Sequence, residues 1–170
     1  MDLALFLLRL VVGLYLFEHG AEKLFGWSAG PGLKKTIGTM GSLGFRPARL
    51  WAVLGTVSEV GGGLLLVLGL FAPLGAVAIA AAMLVAVGIH WTKGPMAAKG
   101  GYELALTNLA AAVALGFVGT GAYSLDALLG FALPEPLSIG VGLLVAVVGA
   151  SVAFASRRTV AQLAPAAQTH

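Results

Sequence analysis

Five long runs of apolar residues, separated by short polar stretches, organise this chain of 170 residues. A helix needs about 20 apolar residues to cross the hydrocarbon core of a bilayer, and somewhat fewer where polar flanking residues reach the interface. None of the runs alternates apolar with polar positions, as the strands of a membrane barrel do. The pattern therefore predicts an all-α transmembrane bundle with helices at Leu3–Phe17 (extended through a polar stretch to Phe25), Leu50–Leu70, Leu74–Trp91, Leu104–Val118 and Leu137–Phe154.

The composition supports a membrane protein and excludes several other classes. Hydrophobic residues make up 59% of the chain and charged residues only 10%, whereas about a quarter of the residues of a soluble domain are charged. A soluble enzyme, a nucleic-acid-binding protein and an extended disordered chain are therefore excluded. The chain has no cysteine, so any redox chemistry would depend on a bound cofactor or substrate.

The connections between the runs predict one domain. Gly26–Pro47 is predicted to be a re-entrant or surface loop, and the other connections are short. Pro73 and Pro136 are predicted to mark helix starts, where the missing backbone N–H costs nothing. We therefore expect a single transmembrane domain over residues 1–158 and a flexible tail over residues 159–170.

Basic residues predict the orientation of the chain, because cytoplasmic loops are enriched in lysine and arginine. With five crossings, nine of the ten basic residues fall on one side: Lys23, Lys34, Lys35, Arg46, Arg49, Lys93, Lys99, Arg157 and Arg158. The opposite side carries only Asp2, Asp126 and Glu135. We expect a bacterial or archaeal cytoplasmic membrane, an outside N-terminus and a cytoplasmic C-terminus. The lipid bilayer is the expected partner, and a homo-oligomer stays open.

Two ionisable residues lie deep within the predicted helices, Arg9 in the first and Glu59 near the middle of the second. Inserting a charged side chain into hydrocarbon costs on the order of several kcal/mol. Each of the two residues therefore needs a partner or a function. One hypothesis is an ion pair between them that fixes helix register. The other is that Glu59 accepts protons or contacts a ligand while Arg9 restrains it.

A second polar group is predicted where four helices reach the basic side. His19 and Lys23 close the first helix, His90 and Trp91 end the third, and Tyr102 and Glu103 begin the fourth; Asn108 lies one turn further in. Three interpretations stay open for this polar rim. It is an interfacial belt, a pocket for a quinone head group, or a metal site built from His19, Glu22, His90 and Glu103.

Short motifs of polar residues and glycines extend from about residue 5 to residue 128. They are Arg9 with Gly13, the run Glu18-His19-Gly20-Ala21-Glu22-Lys23-Leu24, Gly44-Phe45 with Pro47, Glu59-Val60-Gly61-Gly62, Leu68-Gly69-Leu70, Gly101-Tyr102-Glu103 and Gly119–Asp126. Together these motifs resemble the DoxX family of membrane proteins. The resemblance implies four family helices, so that Leu137–Phe154 is predicted to be an added fifth helix.

The resemblance also implies a redox setting. The family is named for its similarity to a subunit of an archaeal thiosulfate:quinone oxidoreductase, and some members are linked to membrane oxidative-stress or thiol-redox complexes. The positions that match family motifs and carry candidate chemistry are Arg9, His19, Lys23, Glu59 and Glu103. Ser124 and Asp126 are instead expected to build a capped turn on the outer side, because both suit short-range hydrogen bonds to the backbone.

The leading hypothesis is a quinone-interacting or redox-complex subunit of the cytoplasmic membrane, with redox partner proteins. Glu59, Arg9, His19 and Glu103 are the candidate catalytic residues, and the candidate cofactor-binding residues are Lys23, His90, Trp91, Tyr102 and Asn108. Quinone is the expected cofactor, and no metal is assigned. Whether the chain is itself an enzyme stays open. The alternative is a non-catalytic membrane scaffold or a small-solute permease.

Overall fold

The computed structural model describes residues 1–131, 133 and 137–158, which form α-helices and connecting turns. The α-helices are α1 (Asp2–Phe25), α2 (Gly32–Ser42), α3 (Ala48–Leu68), α4 (Ala72–His90), α5 (Glu103–Val118), α6 (Leu125–Leu129) and α7 (Leu137–Ala155). Single turns of 3₁₀ helix lie at Trp27–Ala29, Trp91–Lys93 and Ala97–Lys99.

All five predicted membrane helices are present, and the all-α prediction is confirmed. Four helices are long and apolar enough to cross a bilayer, namely α1, α3, α4 with the turn after it, and α7. The fifth, α5, is apolar but has only 16 residues. By length and composition the protein is a multi-pass membrane protein whose helices contact lipid.

Helices α1 and α3 pack closely along glycines. A side chain on Gly63 would place its Cβ 2.6 Å from the carbonyl oxygen of Gly13, and one on Gly20 would lie 2.8 Å from the Cβ of Glu59. Because residue numbers rise along α1 as they fall along α3, the two helices are antiparallel. Small residues allow this close approach in a membrane, where hydrophobicity does not drive helices together.

Helix α4 lies between the other long helices and contacts α3, α5 and α7. Its buried Ile79 and Met83 belong to a core cluster with Leu16 of α1, Leu66 of α3 and Leu115 of α5. The C-terminal end of α7 reaches the turn before α3, where the Phe154 and Phe45 rings lie 5.7 Å apart. Helix α7 is therefore part of the bundle.

The prediction for Gly26–Pro47 was incomplete, because this segment contains helix α2. The hydroxyl of Thr36, buried on α2, donates to the carbonyls of Lys23 (3.2 Å) and Gly32 (2.9 Å) and so ties the helix to the end of α1. The sequence pattern did not predict this helix, because its glycines carry no side chain that would indicate a buried face.

The other connections are partly as predicted. Pro73 lies in the first turn of α4, as expected. Between Gly119 and Pro136 the short helix α6 forms, and Ser124 caps it by accepting a hydrogen bond from the N–H of Ala127 (3.1 Å). Pro136 and the tail from Thr159 lie outside the described residues.

Candidate functional site

A buried ion pair joins α1 and α3. The ammonium of Lys23 lies 2.7 Å from each carboxylate oxygen of Glu59. The side chain of Glu59 is 4% exposed and that of Lys23 is 28% exposed. Glu59 is the twelfth residue of the 21-residue α3, close to its midpoint, so the pair places opposite charges inside a membrane-length helix pair.

Helix geometry explains why Lys23 reaches so far inward. Side chains of an α-helix point back toward its N-terminus, and Lys23 lies in the last turn of α1. Its ammonium is therefore directed away from the basic side and toward the middle of α3. The absence of a side chain on Gly20 lets the two backbones approach closely beside Glu59, which shortens the distance that the lysine must bridge.

His19 lies beside this pair on the outer surface of α1. It precedes Lys23 by one helical turn, a spacing that makes two residues neighbours on one helix face. Its side chain is 44% exposed, its Nδ1 atom lies 3.6 Å from Oε2 of Glu22, and its ring is stacked with Tyr15 at 6.0 Å. His19 also interacts electrostatically with both Lys23 and Glu59, so imidazole, ammonium and carboxylate form one group, here named the Lys23–Glu59 site.

The prediction of an ion pair between Arg9 and Glu59 is wrong, because the carboxylate of Glu59 pairs with Lys23. Because α1 and α3 are antiparallel and Gly20 packs on Glu59, Arg9 is level with the end of α3 at Gly69. Ten residues of helix, about 15 Å at 1.5 Å per residue, separate that level from Glu59. The prediction counted the depth of Arg9 and of Glu59 from the end of its own helix. This count was wrong because the N-terminal end of α1 extends beyond the C-terminal end of α3.

Arg9 instead holds the turns at the opposite end of the bundle. Its side chain is 1% exposed, Nη2 donates to the carbonyl of Tyr123, and Nη1 lies directly over Gly69. Asp126 interacts electrostatically with the guanidinium and accepts a hydrogen bond from the N–H of Phe71 (3.0 Å). The predicted capped turn is confirmed for Ser124, whereas Asp126 accepts this hydrogen bond from outside the turn, from the distant N–H of Phe71.

The polar rim predicted to unite four helices is divided into two groups. At the junction of α4 and α5, His90 Nδ1 lies 2.8 Å from the carbonyl oxygen of Gly100, and the rings of Trp91 and Tyr102 stack at 4.8 Å. Asn108 donates to the carbonyl of Leu104 one turn earlier (2.9 Å).

No described hydrogen bond, ion pair or ring contact joins the α4–α5 group to the Lys23–Glu59 site. Glu103 lies in the first turn of α5, with its backbone N–H donating to Pro95 (2.9 Å). The structure therefore brings together His19, Lys23 and Glu59, and leaves Arg9, His90 and Glu103 elsewhere.

The metal interpretation required His19, Glu22, His90 and Glu103 to converge. His19 and Glu22 lie together on α1, whereas His90 and Glu103 belong to the α4–α5 junction. Among the described residues, no three histidine, aspartate or glutamate side chains are placed to hold one metal ion.

The fold and site define a multi-pass α-helical membrane protein with an ion pair inside its helix bundle. The sequence profile of the DoxX family matches residues 4–92, just over half of the chain. The chain therefore belongs to the DoxX family. The match includes both partners of the Lys23–Glu59 pair and ends shortly after α4, so α5 to α7 lie beyond it. No curated protein and no solved structure matches the chain.

Proposed function

We propose that this DoxX protein is a quinone-interacting subunit of a membrane redox complex, and that the Lys23–Glu59 site receives the head group. The observation that carries the proposal is the ion pair itself, buried at mid-helix yet adjacent to a half-exposed histidine. Ionisable residues within membrane helices are costly and usually mark a ligand or proton pathway.

The donors and acceptors of the site suit a quinone. A lysine ammonium has three hydrogens, and two of them are directed to the Glu59 oxygens. The third is available to a carbonyl oxygen. His19 offers Nε2 on the lipid-accessible surface, since its other ring nitrogen faces Glu22. Two donors on neighbouring turns of α1 can therefore bind one polar head group.

The bound quinone would supply the redox chemistry, which the cysteine-free chain has no thiol to perform. The residues of the chain have simpler tasks. Lys23 binds and orients the carbonyl oxygen, and His19 holds or releases a proton at Nε2. Glu59 holds Lys23 in place by accepting two hydrogen bonds.

A membrane scaffold is the second candidate function, and one observation favours it. Both carboxylate oxygens of Glu59 already accept hydrogen bonds from Lys23, as in a pair that only fixes helix register. The exposed basic residues of α2, Lys34 and Lys35, would then recruit partner proteins.

Analysis of co-purified lipids distinguishes the two functions. Protein purified in mild detergent would be extracted and its quinone content measured by mass spectrometry, for wild type and for His19→Ala and Glu59→Gln. Matched controls are His90→Ala, a histidine outside the site, and Glu18→Gln, an exposed carboxylate on α1 that accepts from Ser28. We expect quinone in wild type and both controls, and its loss from both site variants.

Two results would contradict the quinone proposal. One is wild-type protein that carries no quinone and binds none when a short-chain quinone is added to the micelles. The other is equal retention in His19→Ala, Glu59→Gln and the controls. If Glu59→Gln then only lowers the melting temperature, the pair is structural and the scaffold function is favoured.

A further inference from the structure

We infer a second binding site in this protein, an arginine-lined pocket that takes the phosphate of an anionic phospholipid. The pocket has a volume of about 540 Å³ and lies where the end of α7 meets the turn between α2 and α3. Its lining residues are Arg46, Ala155, Ser156, Arg157 and Arg158. It is separate from the Lys23–Glu59 site and does not depend on the proposed function.

The walls of the pocket are fixed by contacts between distant parts of the chain. The backbone N–H of Arg158 donates to the carbonyl of Gly44 (2.9 Å), and Nε of Arg157 donates to that of Leu43 (2.9 Å). Gly44 has φ of +89°, and a Cβ there would lie 2.5 Å from the carbonyl oxygen of Arg158. These contacts fix the end of α7 against the turn before α3 before any ligand binds, which lowers the entropic cost of binding.

One arginine is committed to the structure and two are not. The guanidinium of Arg157 lies over the rings of Phe45 (5.1 Å) and Phe154 (5.7 Å), so it anchors α7 to the rest of the bundle. Arg46 and Arg158 are exposed. Among the described residues the two ion pairs, His19 with Glu22 and Lys23 with Glu59, lie elsewhere.

Three positive charges around the cavity, with no acidic residue among the described residues that line it, favour an anion. Arginine binds phosphate with paired, parallel hydrogen bonds, more specifically than lysine does. Clusters of basic residues beside a membrane helix are typical of sites for anionic lipid head groups.

The neighbouring surface of α7 selects a lipid as the source of the phosphate. From Ala155 an exposed apolar stripe continues along α7 at helical spacing through Val152, Val148, Val145 and Val141. Acyl chains can lie on this stripe while the head group occupies the pocket. A soluble phosphate compound would leave the stripe unused.

Native mass spectrometry of the full chain in detergent tests the site, with phosphatidylglycerol and phosphatidylcholine as the added lipids. The test variant is Arg46→Gln/Arg158→Gln, which spares Arg157 and its aromatic contacts. The matched control is Lys34→Gln/Lys35→Gln, which removes the same charge from exposed positions on α2. We expect wild type and control to prefer phosphatidylglycerol, and the test variant to bind it at least about tenfold more weakly, because charge-assisted hydrogen bonds are lost.

Three results would overturn the proposal. They are equal affinity of wild type for the two lipids, equal weakening in the lysine control, and displacement of phosphatidylglycerol by millimolar inorganic phosphate, which would assign the pocket to a soluble anion. If the double variant does not fold, Arg158→Gln alone is measured against Lys35→Gln. A single variant that keeps full affinity for phosphatidylglycerol would equally overturn it.

Discussion

Helix α1 carries two cations on nearly the same face, one fully buried and one partly exposed, and their contacts differ. Arg9, 1% exposed, is directed to backbone and to a turn. Lys23, one quarter exposed, is directed to a single carboxylate on the neighbouring helix. The first contact joins three separate segments, whereas the second joins two helices that already pack together.

The surroundings of Arg9 are those of a structural group. The C-terminal end of α3, which carries partial negative charge, lies directly beneath the guanidinium at Gly69. The Arg9 atoms Nε and Nη1 are buried without a hydrogen-bond partner. The cost of burying them is therefore offset by electrostatic attraction. The comparison shows that burial of a charge in a membrane helix does not by itself indicate function; access from outside separates the two cases.

Replacing Arg9 should cause the largest loss of stability. Arg9→Met removes a buried positive charge from the Tyr123 carbonyl and from the neighbourhood of Asp126, and the loss of buried charged contacts costs about 3 to 5 kcal/mol. Arg9→Lys should recover less than half of that loss, because one ammonium cannot replace a fork that reaches both Tyr123 and Gly69. The free energy of unfolding in mixed micelles checks both variants, with exposed Arg49→Met as the control. Full stability of Arg9→Lys would contradict the role of the fork.

Gly69 tests whether Arg9 needs the space above it. Gly69 and Gly130 both end a helix with positive φ, +61° and +64°, so alanine strains both backbones by about 1 to 2 kcal/mol. Only at Gly69 would the new Cβ collide with Arg9, adding about 1 to 3 kcal/mol of overpacking. Gly69→Ala should therefore unfold more readily than Gly130→Ala. Equal losses would show that the guanidinium moves aside without cost.

Most of the fold was predictable from the sequence, because runs of apolar residues determine where helices cross a membrane. The bounds of α3 and α5 differ from the predicted ones by about two residues or fewer, the usual scatter of helix ends. Helix α2 was missed because three of its residues are glycines and its buried residue is the polar Thr36. Pairing of charges was not predictable, since it depends on how α1 slides along α3, and that is set by contacts between glycines.

The candidate site was only half predictable for the same reason. Glu59 was singled out as an ionisable residue deep within an apolar run, and His19 and Lys23 as members of the polar rim, but the partner of Glu59 was misassigned to Arg9. The direction of helical side chains could have corrected it, because Lys23 points inward and Arg9 points toward its own helix end. The sequence indicated the arginine pocket only weakly, through the two arginines that follow the last apolar run.

The glycine contacts that set this register are testable within one helix. Gly61 and Gly63 lie two residues apart on α3, but only Gly63 faces α1, and a Cβ there would lie 2.6 Å from Gly13. Gly63→Ala should cost about 1 to 3 kcal/mol through overpacking, whereas Gly61→Ala has open space around it and should leave stability unchanged or slightly improved. Thermal unfolding followed by tryptophan fluorescence measures both. A stable Gly63→Ala would mean that the helices can separate without loss.

The smallest expected effect concerns the Lys23–Glu59 pair and sharpens the comparison most. In a double-mutant cycle with Lys23→Met and Glu59→Leu, each single variant should be destabilised and the double variant should lose less than their sum. We expect a coupling energy of about 0.5 to 2 kcal/mol, the range measured for polar contacts between membrane helices. Unfolding free energies of the four proteins in the same micelles give this value.

A matched cycle with Glu18→Leu in place of Glu59→Leu should give no coupling to Lys23, because Glu18 is exposed and hydrogen-bonded to Ser28. A coupling at Glu59 several times larger than expected would place Lys23 in the same structural class as Arg9. A small coupling is what a pair needs if Lys23 is to share its hydrogens with a ligand, because a contact that contributes little to folding can be rearranged at little cost.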